Sequence, residues 1–383
     1  MTLVVVGASL AGLRAVEAAR RTGYRGRIVL IGAEEHLPYD RPPLSKAFLA
    51  AGGPRAVEPF HTEEVLREVL GVELLLGASA EGLDLGSREV TVAGRAVRYD
   101  ALVIATGATA RTLPGARALR TAEDAVAVRD ALDRGARTVV IGAGFIGSEV
   151  ASAARARGLP VTIVEAAAVP LARAVGETAG AALAALHHEA GTELRLGAEV
   201  TGVTDGSVRL AGGEVLPADL VVAGIGAVPA TGWLEGSGLV LHERDRGVVC
   251  DATLSAGAPG VYAAGDVAHV ASPLFGGLLR LEHWTNAAEQ GAAAARHALD
   301  PAAARPLEAV PYFWSDWYGH RIQFVGTPDA DEVVTAGDTT LYRRGDRLVG
   351  ALTVDRPREI MKHRRRIAGR ASWADALAFA GTA

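Results

Sequence analysis

The sequence predicts an α/β chain in which one βαβ unit is used twice and a smaller α+β segment follows. Three observations carry this. First, the apolar run Leu3–Val6 enters Gly7-Ala8-Ser9-Leu10-Ala11-Gly12, and the run Thr138–Ile141 enters Gly142-Ala143-Gly144-Phe145-Ile146-Gly147; Gly7 to Gly142 and Gly12 to Gly147 are both 135 residues apart. Second, each glycine segment leads into an Ala-rich helical stretch and then a second apolar strand, Arg27–Ile31 running on to Glu34 and Val161–Val164 ending at Glu165. Third, a further apolar strand closing on glycine follows each copy: Ala101–Ile104 before Ala105-Thr106-Gly107, and Leu220–Ala223 before Gly224-Ile225-Gly226. A third strand of this kind, Val261–Ala264, runs into Gly265-Asp266. Unbroken β-branched runs between glycine turns are strands of a parallel sheet buried on both faces.

After about Pro306 the character changes. Aromatic residues cluster in Tyr312-Phe313-Trp314 and Trp317-Tyr318, and the alternation in Arg321–Phe324 and Thr340–Tyr342 predicts an antiparallel sheet. The expected division is a split first domain (1–109 with 231–306), an inserted second domain (110–230) and a C-terminal domain (307–383).

The 383 residues suit two or three domains. At 49% apolar the chain can bury sizeable cores, and no segment is polar enough to read as disordered. The longest stretch without charge, Leu220 to Leu234, is short for a membrane span and contains Gly224, Gly226, Pro229 and Gly232. A strand at Leu3–Val6 leaves no room for a signal peptide, so a cytoplasmic location with no membrane partner is expected. A net charge of −5 argues against nonspecific nucleic-acid binding. The one cysteine, Cys250, can form neither an intrachain disulfide nor a CxxC redox pair. Its setting, Gly247-Val248-Val249-Cys250-Asp251, reads as a strand and the thiol as buried and inert. His187 and His188 are neighbours on a helical stretch and cannot share a helix face, so no metal site is expected from them. Of 39 basic residues only Lys46 and Lys362 are lysines, which singles out both positions.

Gly142, Gly144 and Gly147 form a full GxGxxG dinucleotide fingerprint. The first glycine permits the tight turn, the second lets the backbone approach a pyrophosphate, and the third lets helix and strand pack closely. Glu165, 18 residues past Gly147, suits a ribose 2′-hydroxyl and repels a 2′-phosphate, favouring NADH over NADPH; a surface glutamate with arginines such as Arg173 nearby is the competing reading. The N-terminal copy reads Gly7-x-Ser9-x-x-Gly12, with Ser9 in the middle place, and Glu34 follows 22 residues after Gly12 at a position suited to an adenosine ribose. The fold class is therefore α/β with two Rossmann-like dinucleotide-binding domains plus a C-terminal α+β domain, an arrangement that resembles the glutathione reductase-like fold.

The segment Pro38-Tyr39-Asp40-Arg41-Pro42-Pro43-Leu44-Ser45-Lys46 gives a finer reading. With the segments at 31–46, 105–108, 141–151, 262–268, 282–291 and 312–316, the chain resembles, over nearly its whole length, the FAD-dependent ferredoxin reductases that serve oxygenases, the putidaredoxin and rubredoxin reductase group. The resemblance implies FAD on the first unit and NADH on the second. It implies that Arg41 and Lys46 lie along the FAD, with Lys46 beside the flavin, and that Glu149 faces the nicotinamide and pairs with Lys46. Asp266 would bind the ribityl or pyrophosphate region, the helix start at Trp284–Thr285 would face the flavin, and Trp314 would lie close to its ring. Lys46, Glu149 and Trp314 would position and tune rather than attack. The partner implied is an acidic ferredoxin, of [2Fe–2S] type, feeding an oxygenase such as a cytochrome P450. Part of the basic run Arg356, Arg358, Lys362, Arg364, Arg365, Arg366 and Arg370 is expected to receive it. Two other readings stay open: a redox-sensing protein akin to apoptosis-inducing factor, and a reductase of a small acceptor such as monodehydroascorbate or oxygen. Two positions depart from the group's pattern. Ser9 replaces a glycine, and Trp317 stands where glutamine is usual, which leaves the partner-facing surface open.

Overall fold

The run Leu3–Val6 lies in the middle of a parallel sheet in the computed structural model, which describes residues 1–381. The described chain forms two compact units. The first comprises Met1–Asp40, Glu58–Thr109 and Val228–Pro311. Its main sheet has the order Val261–Ala263, Ala101–Ile104, Thr2–Val6, Arg27–Ile31, Val72–Leu75, with every pair parallel. Val4 pairs with Val29 on one side and Leu102 on the other. Leu3, Val4 and Val5 are fully buried, which is why the strand shows no polar alternation. The helices Leu10–Arg21 and Trp284–Leu299 pack against each other and the sheet. A Cβ on Gly291 would come within 2.1 Å of the Ala11 carbonyl oxygen, so a glycine is needed for the two backbones to meet. A three-stranded antiparallel sheet, Ala80–Asp84, Glu89–Val92 and Arg95–Arg98, adds Val90 and Val92 to the same core.

The second unit comprises Arg41–Val57, Ala110–Ala227 and the described residues from Tyr312 onward. Its parallel sheet runs Glu193–Leu196, Val161–Glu165, Thr138–Ile141, Leu220–Ala223. The helix Ala122–Asp133 begins with a capping box between Thr121 and Asp124, and Phe145–Ala156 follows the second glycine turn. The C-terminal segment forms the expected antiparallel sheet, ordered Tyr312–Trp317, His320–Gly326, Arg347–Val354, Thr339–Arg344, Glu332–Ala336. The helices Pro357–Ala368 and Trp373–Ala380 follow it. This segment is joined to the rest of its unit by the Tyr342 hydroxyl donating to the Val175 carbonyl (2.5 Å) and by Phe145 packing edge-on to Phe313 at 4.6 Å. The two copies also differ in where the acidic residue falls. Glu165 is the last residue of its strand, whereas Glu34 lies three residues past Ile31 in the following loop.

Candidate functional site

Both glycine turns are required by the fold before any ligand is considered. Gly7 has φ +120°, and a Cβ there would lie 2.0 Å from the Ala105 carbonyl oxygen; a Cβ on Gly12 would lie 1.9 Å from the oxygen of Gly7. In the second copy Gly142 has φ +99°, its Cβ would be 2.5 Å from the Gly224 oxygen, and that of Gly147 would be 2.1 Å from the Gly142 oxygen. The middle position is different. A Cβ on Gly144 would meet nothing nearer than the Gly224 oxygen at 3.6 Å, an ordinary contact. The fold tolerates a side chain there, and Ser9 stands at that place in the first copy as the extended N-cap of Leu10–Arg21. The middle residue matters to a ligand approaching the backbone, not to the turn.

In the first unit Glu34, Ala105, Thr106, Gly107, Gly265 and Asp266 follow the C-terminal ends of parallel strands, where open α/β sheets bind ligands. Glu34 accepts from the buried Tyr39 hydroxyl at 2.7 Å. Ala105 is buried, the Thr106 hydroxyl donates to the Ala230 carbonyl at 2.9 Å, and the Gly107 carbonyl accepts from the Ala230 N–H at 3.0 Å. Gly265 has φ +79° and donates its N–H to the buried Gln290 amide oxygen at 2.8 Å. Asp266 sits in the turn Gly265–Val267, and its carbonyl accepts from Arg280 at 3.1 Å. Trp284 and Thr285 open the helix Trp284–Leu299, as expected, and the Trp284 indole donates to Asp40 at 2.7 Å. A glycine cradle, a carboxylate beyond the second strand and two helix N-termini fit an adenine dinucleotide such as FAD.

In the second unit Glu165 is tied to the glycine turn. One oxygen accepts from the Ala143 N–H at 2.7 Å and the other from the Ala167 N–H at 2.8 Å. An ionised carboxylate has about four lone-pair sites, so two remain for ribose hydroxyls. Gly226, at φ +96°, ends the last strand's loop with its carbonyl accepting from the Arg111 N–H at 2.9 Å.

The second unit also brings Lys46 to Glu149. Lys46 ends the short turn Pro42–Ser45, and Glu149 lies in the first turns of the helix Phe145–Ala156. The ammonium is 2.7 Å from Oε1 and 2.8 Å from Oε2 of Glu149. The Glu149 side chain is 2% exposed and that of Lys46 is 21% exposed, so the pair has one open end. Ser45 donates to Oε2, and Ser315 donates to Oε1 at 2.5 Å. Arg41 anchors the turn by donating to the Arg120 carbonyl at 2.7 Å. Trp314 is half-buried on the strand Tyr312–Trp317 and stacks on Tyr312 at 5.9 Å. Sequence reasoning missed Ser45 and Ser315. Ser45 adjoins Lys46 directly, and Ser315 alternates with Trp317 on the inward face of the strand.

Other sequence features settle into plain structural roles. Trp317 is not on a surface: it is fully buried against His187. Cys250 is buried in the strand Val248–Cys250, and burial pushes its thiol up to about 12. His242, Asp245 and His269 come together, which no spacing of these residues announces. The two rings stack at 4.0 Å and 7°, so their in-plane lone pairs run side by side rather than converging. Asp245 is engaged by His269 and Arg280, both at 2.8 Å. Burial pushes this carboxyl up, but the Gly247 N–H, His269 and Arg280 outweigh it and hold it at about 2.

Residues 1–291 match the family model described as pyridine nucleotide-disulphide oxidoreductase, and residues 312–381 match the reductase C-terminal model. The chain belongs to the pyridine nucleotide-disulphide oxidoreductase family. Within it, the chain is 36% identical to rhodocoxin reductase of Rhodococcus erythropolis, over 96% of this chain and 90% of the relative. It is 34% identical to putidaredoxin reductase CamA of Pseudomonas putida, over 96% and 92%. Among solved structures, Fdr9 superposes with TM-score 0.90 at 42% identity, covering 98% of this chain and 96% of that one. The reductase in the covalent putidaredoxin reductase–putidaredoxin complex does so with TM-score 0.90 at 35% identity, covering 96% and 93%. The resemblance read from the motifs is borne out.

Proposed function

We infer that this chain is an NADH-dependent ferredoxin reductase, an FAD-containing oxidoreductase that delivers electrons to an iron–sulfur carrier. One observation carries the choice within the family. The family takes its name from disulfide chemistry, yet the only cysteine here is Cys250, buried and held as a thiol by its surroundings. With no dithiol to receive electrons, they leave by way of an external acceptor. Bound FAD supplies the conversion between a two-electron hydride donor and one-electron carriers.

The residues of the first unit named above would hold FAD, with Glu34 toward the adenosine ribose. Gly142, Gly144, Gly147 and Gly226 would hold NADH, with Glu165 toward its ribose, while Arg41 and Lys46 would lie along the FAD. Lys46, Glu149 and Trp314 would position the reacting rings, and no general acid or base is required. The acceptor would be an acidic [2Fe–2S] ferredoxin that feeds an oxygenase such as a cytochrome P450. The division into 1–109 with 231–306, 110–230 and 307–383 would then follow ligand: FAD, NADH and carrier. Among the described residues no helix is long and apolar enough to cross a membrane, and a cytoplasmic site of action suits a carrier-coupled reductase.

The test is NADH oxidation with a panel of ferredoxins, rubredoxin, quinone and oxygen. Brisk ferredoxin-dependent cytochrome c reduction is expected. Turnover with oxygen or quinone alone, and none with any iron–sulfur carrier, would overturn the assignment.

A further inference from the structure

The strand Tyr312–Trp317 shows strict alternation. Phe313, Ser315 and Trp317 are buried, while Tyr312, Trp314 and Asp316 lie on the other face, half-buried. The inward face meets the helix that carries Glu149. The Ser315 hydroxyl donates to Glu149 at 2.5 Å, and the Trp317 indole N–H donates to the Ser315 oxygen at 2.8 Å. One residue past Trp317, the Tyr318 N–H donates to the Ser152 hydroxyl of the same helix at 2.8 Å. Trp317 itself cannot swing away. Its ring lies 4.8 Å from that of His187, tilted by 34°. His187 is held by the Tyr318 hydroxyl at 2.8 Å, and that hydroxyl reaches Thr192 at 2.9 Å.

Donor bookkeeping decides what this arrangement does. A serine hydroxyl has one proton and two lone pairs, and an indole N–H can only donate. With Trp317 directed at the Ser315 oxygen, the single Ser315 proton has Glu149 as its acceptor. Because the indole cannot pass a proton on, the chain Trp317–Ser315–Glu149 ends at the indole and is a clamp, not a relay. We propose that Trp317 is a positioning residue: by donating to Ser315 it commits the Ser315 proton to Glu149, fixes that carboxylate, and so sets where Lys46 stands. The inference rests on reading Lys46 and Glu149 as the pair that faces the reacting rings.

The composition offers a direct readout, because Lys46 and Lys362 are the only lysines. Holoenzyme carrying 13Cε-labelled lysine gives two resonances, assigned with Lys362→Arg. In Trp317→Phe and in Ser315→Ala the Lys46 resonance moves while that of Lys362 stays. Stopped-flow flavin reduction at saturating NADH slows about fivefold in each, the effect of one lost hydrogen bond. The double variant is no slower than Ser315→Ala alone, since Trp317 reaches Glu149 only through the Ser315 hydroxyl. Additive losses, or an unmoved Lys46 resonance, overturn the proposal. If Trp317→Phe does not fold, Trp317→Leu, which likewise lacks a donor for Ser315, is read through the same resonance. Lys46→Met separates the two levels. If it reduces at the normal rate, the reading of Lys46 fails, and the resonances in the other variants still report on the clamp.

Discussion

Lys46 and Glu149, 103 residues apart in the chain, stand at 2.7 Å with the carboxylate buried and the ammonium partly open. The open end is the side from which a ligand can be met. Ser45 and Ser315 share the carboxylate, so loss of the ammonium would not leave Glu149 without donors. Lys46→Ala is therefore expected to fold and to keep its FAD, while flavin reduction by NADH slows on the order of tenfold, as for a lost hydrogen bond to a charged group. Stopped-flow absorbance at the flavin band and FAD content after gel filtration check the two halves separately. An unchanged rate would return Lys46 to a surface residue.

The Glu165 carboxylate, pinned by the Ala143 and Ala167 amides, is held beside the second glycine turn. A 2′-phosphate there would meet a fixed negative charge. If that repulsion is about 1.4 kcal/mol, kcat/KM for NADH exceeds that for NADPH about tenfold. Glu165→Ala should narrow the ratio mainly by improving NADPH. Equal efficiencies in the unaltered protein would rule out this role.

His187 and His363 fold as neutral imidazoles. Burial, then the His188 charge, lowers His187 to about 4 from the ordinary 6.5. Burial, then Arg366, lowers His363 to about 4, with Phe379 edge-on at 5.0 Å. Since the folded values lie below the unfolded one, the unfolded chain binds more protons between pH 6.5 and 4. The stability they contribute is full above about 6.5 and is lost as the pH falls towards about 4, at about 1.4 kcal/mol per pH unit for each proton not taken up. Urea midpoints should drop over this range, and His187→Gln should flatten the decline. An unaltered slope in that variant would show that the acid response arises elsewhere.

The two sheets and both glycine turns were legible in the sequence because parallel strands buried on both faces have a composition of their own, and because positive-φ glycines mark turns directly. Lys46 and Glu149 were legible only through the motifs around them, since nothing local pairs residues so far apart. The surroundings of Glu149 were hidden for the same reason: Ser45 and Ser315 are ordinary serines until the strand Tyr312–Trp317 is laid against the helix Phe145–Ala156. Trp317 misled. An aromatic residue at a place where a polar one is usual suggests a changed surface, but the period-two pattern set by Phe313 and Ser315 already puts Trp317 on the inward face. His242, Asp245 and His269 meet through loop closure, for which sequence spacing gives no rule.

The basic run near the C-terminus is narrowed by the structure to one helix face. In Pro357–Ala368, Ile360, His363 and Ile367 are buried. Arg358, Lys362 and Arg365 are exposed, and their i, i+4, i+7 spacing aligns them on the opposite face. Of the rest, Arg366 lies over the Phe379 ring at 3.5 Å (Lys362 stands further from it, at 5.8 Å), Arg356 pairs with Asp338, Arg364 is half-buried, and Arg370 lies beyond the helix end. Transient redox complexes are small and steered by charge, and an acidic carrier would favour such a stripe. Steering should weaken with salt, as the Debye length falls from about 10 Å at 0.1 M to about 3 Å at 1 M. Arg358→Glu with Arg365→Glu should raise the apparent KM for ferredoxin on the order of tenfold at low salt, and the gap should shrink as salt is added. Flavin reduction by NADH, which does not involve the carrier, should be unchanged in the same protein. If the double variant reduces its ferredoxin with normal KM at low salt, the carrier docks elsewhere and the stripe is a solvated helix face.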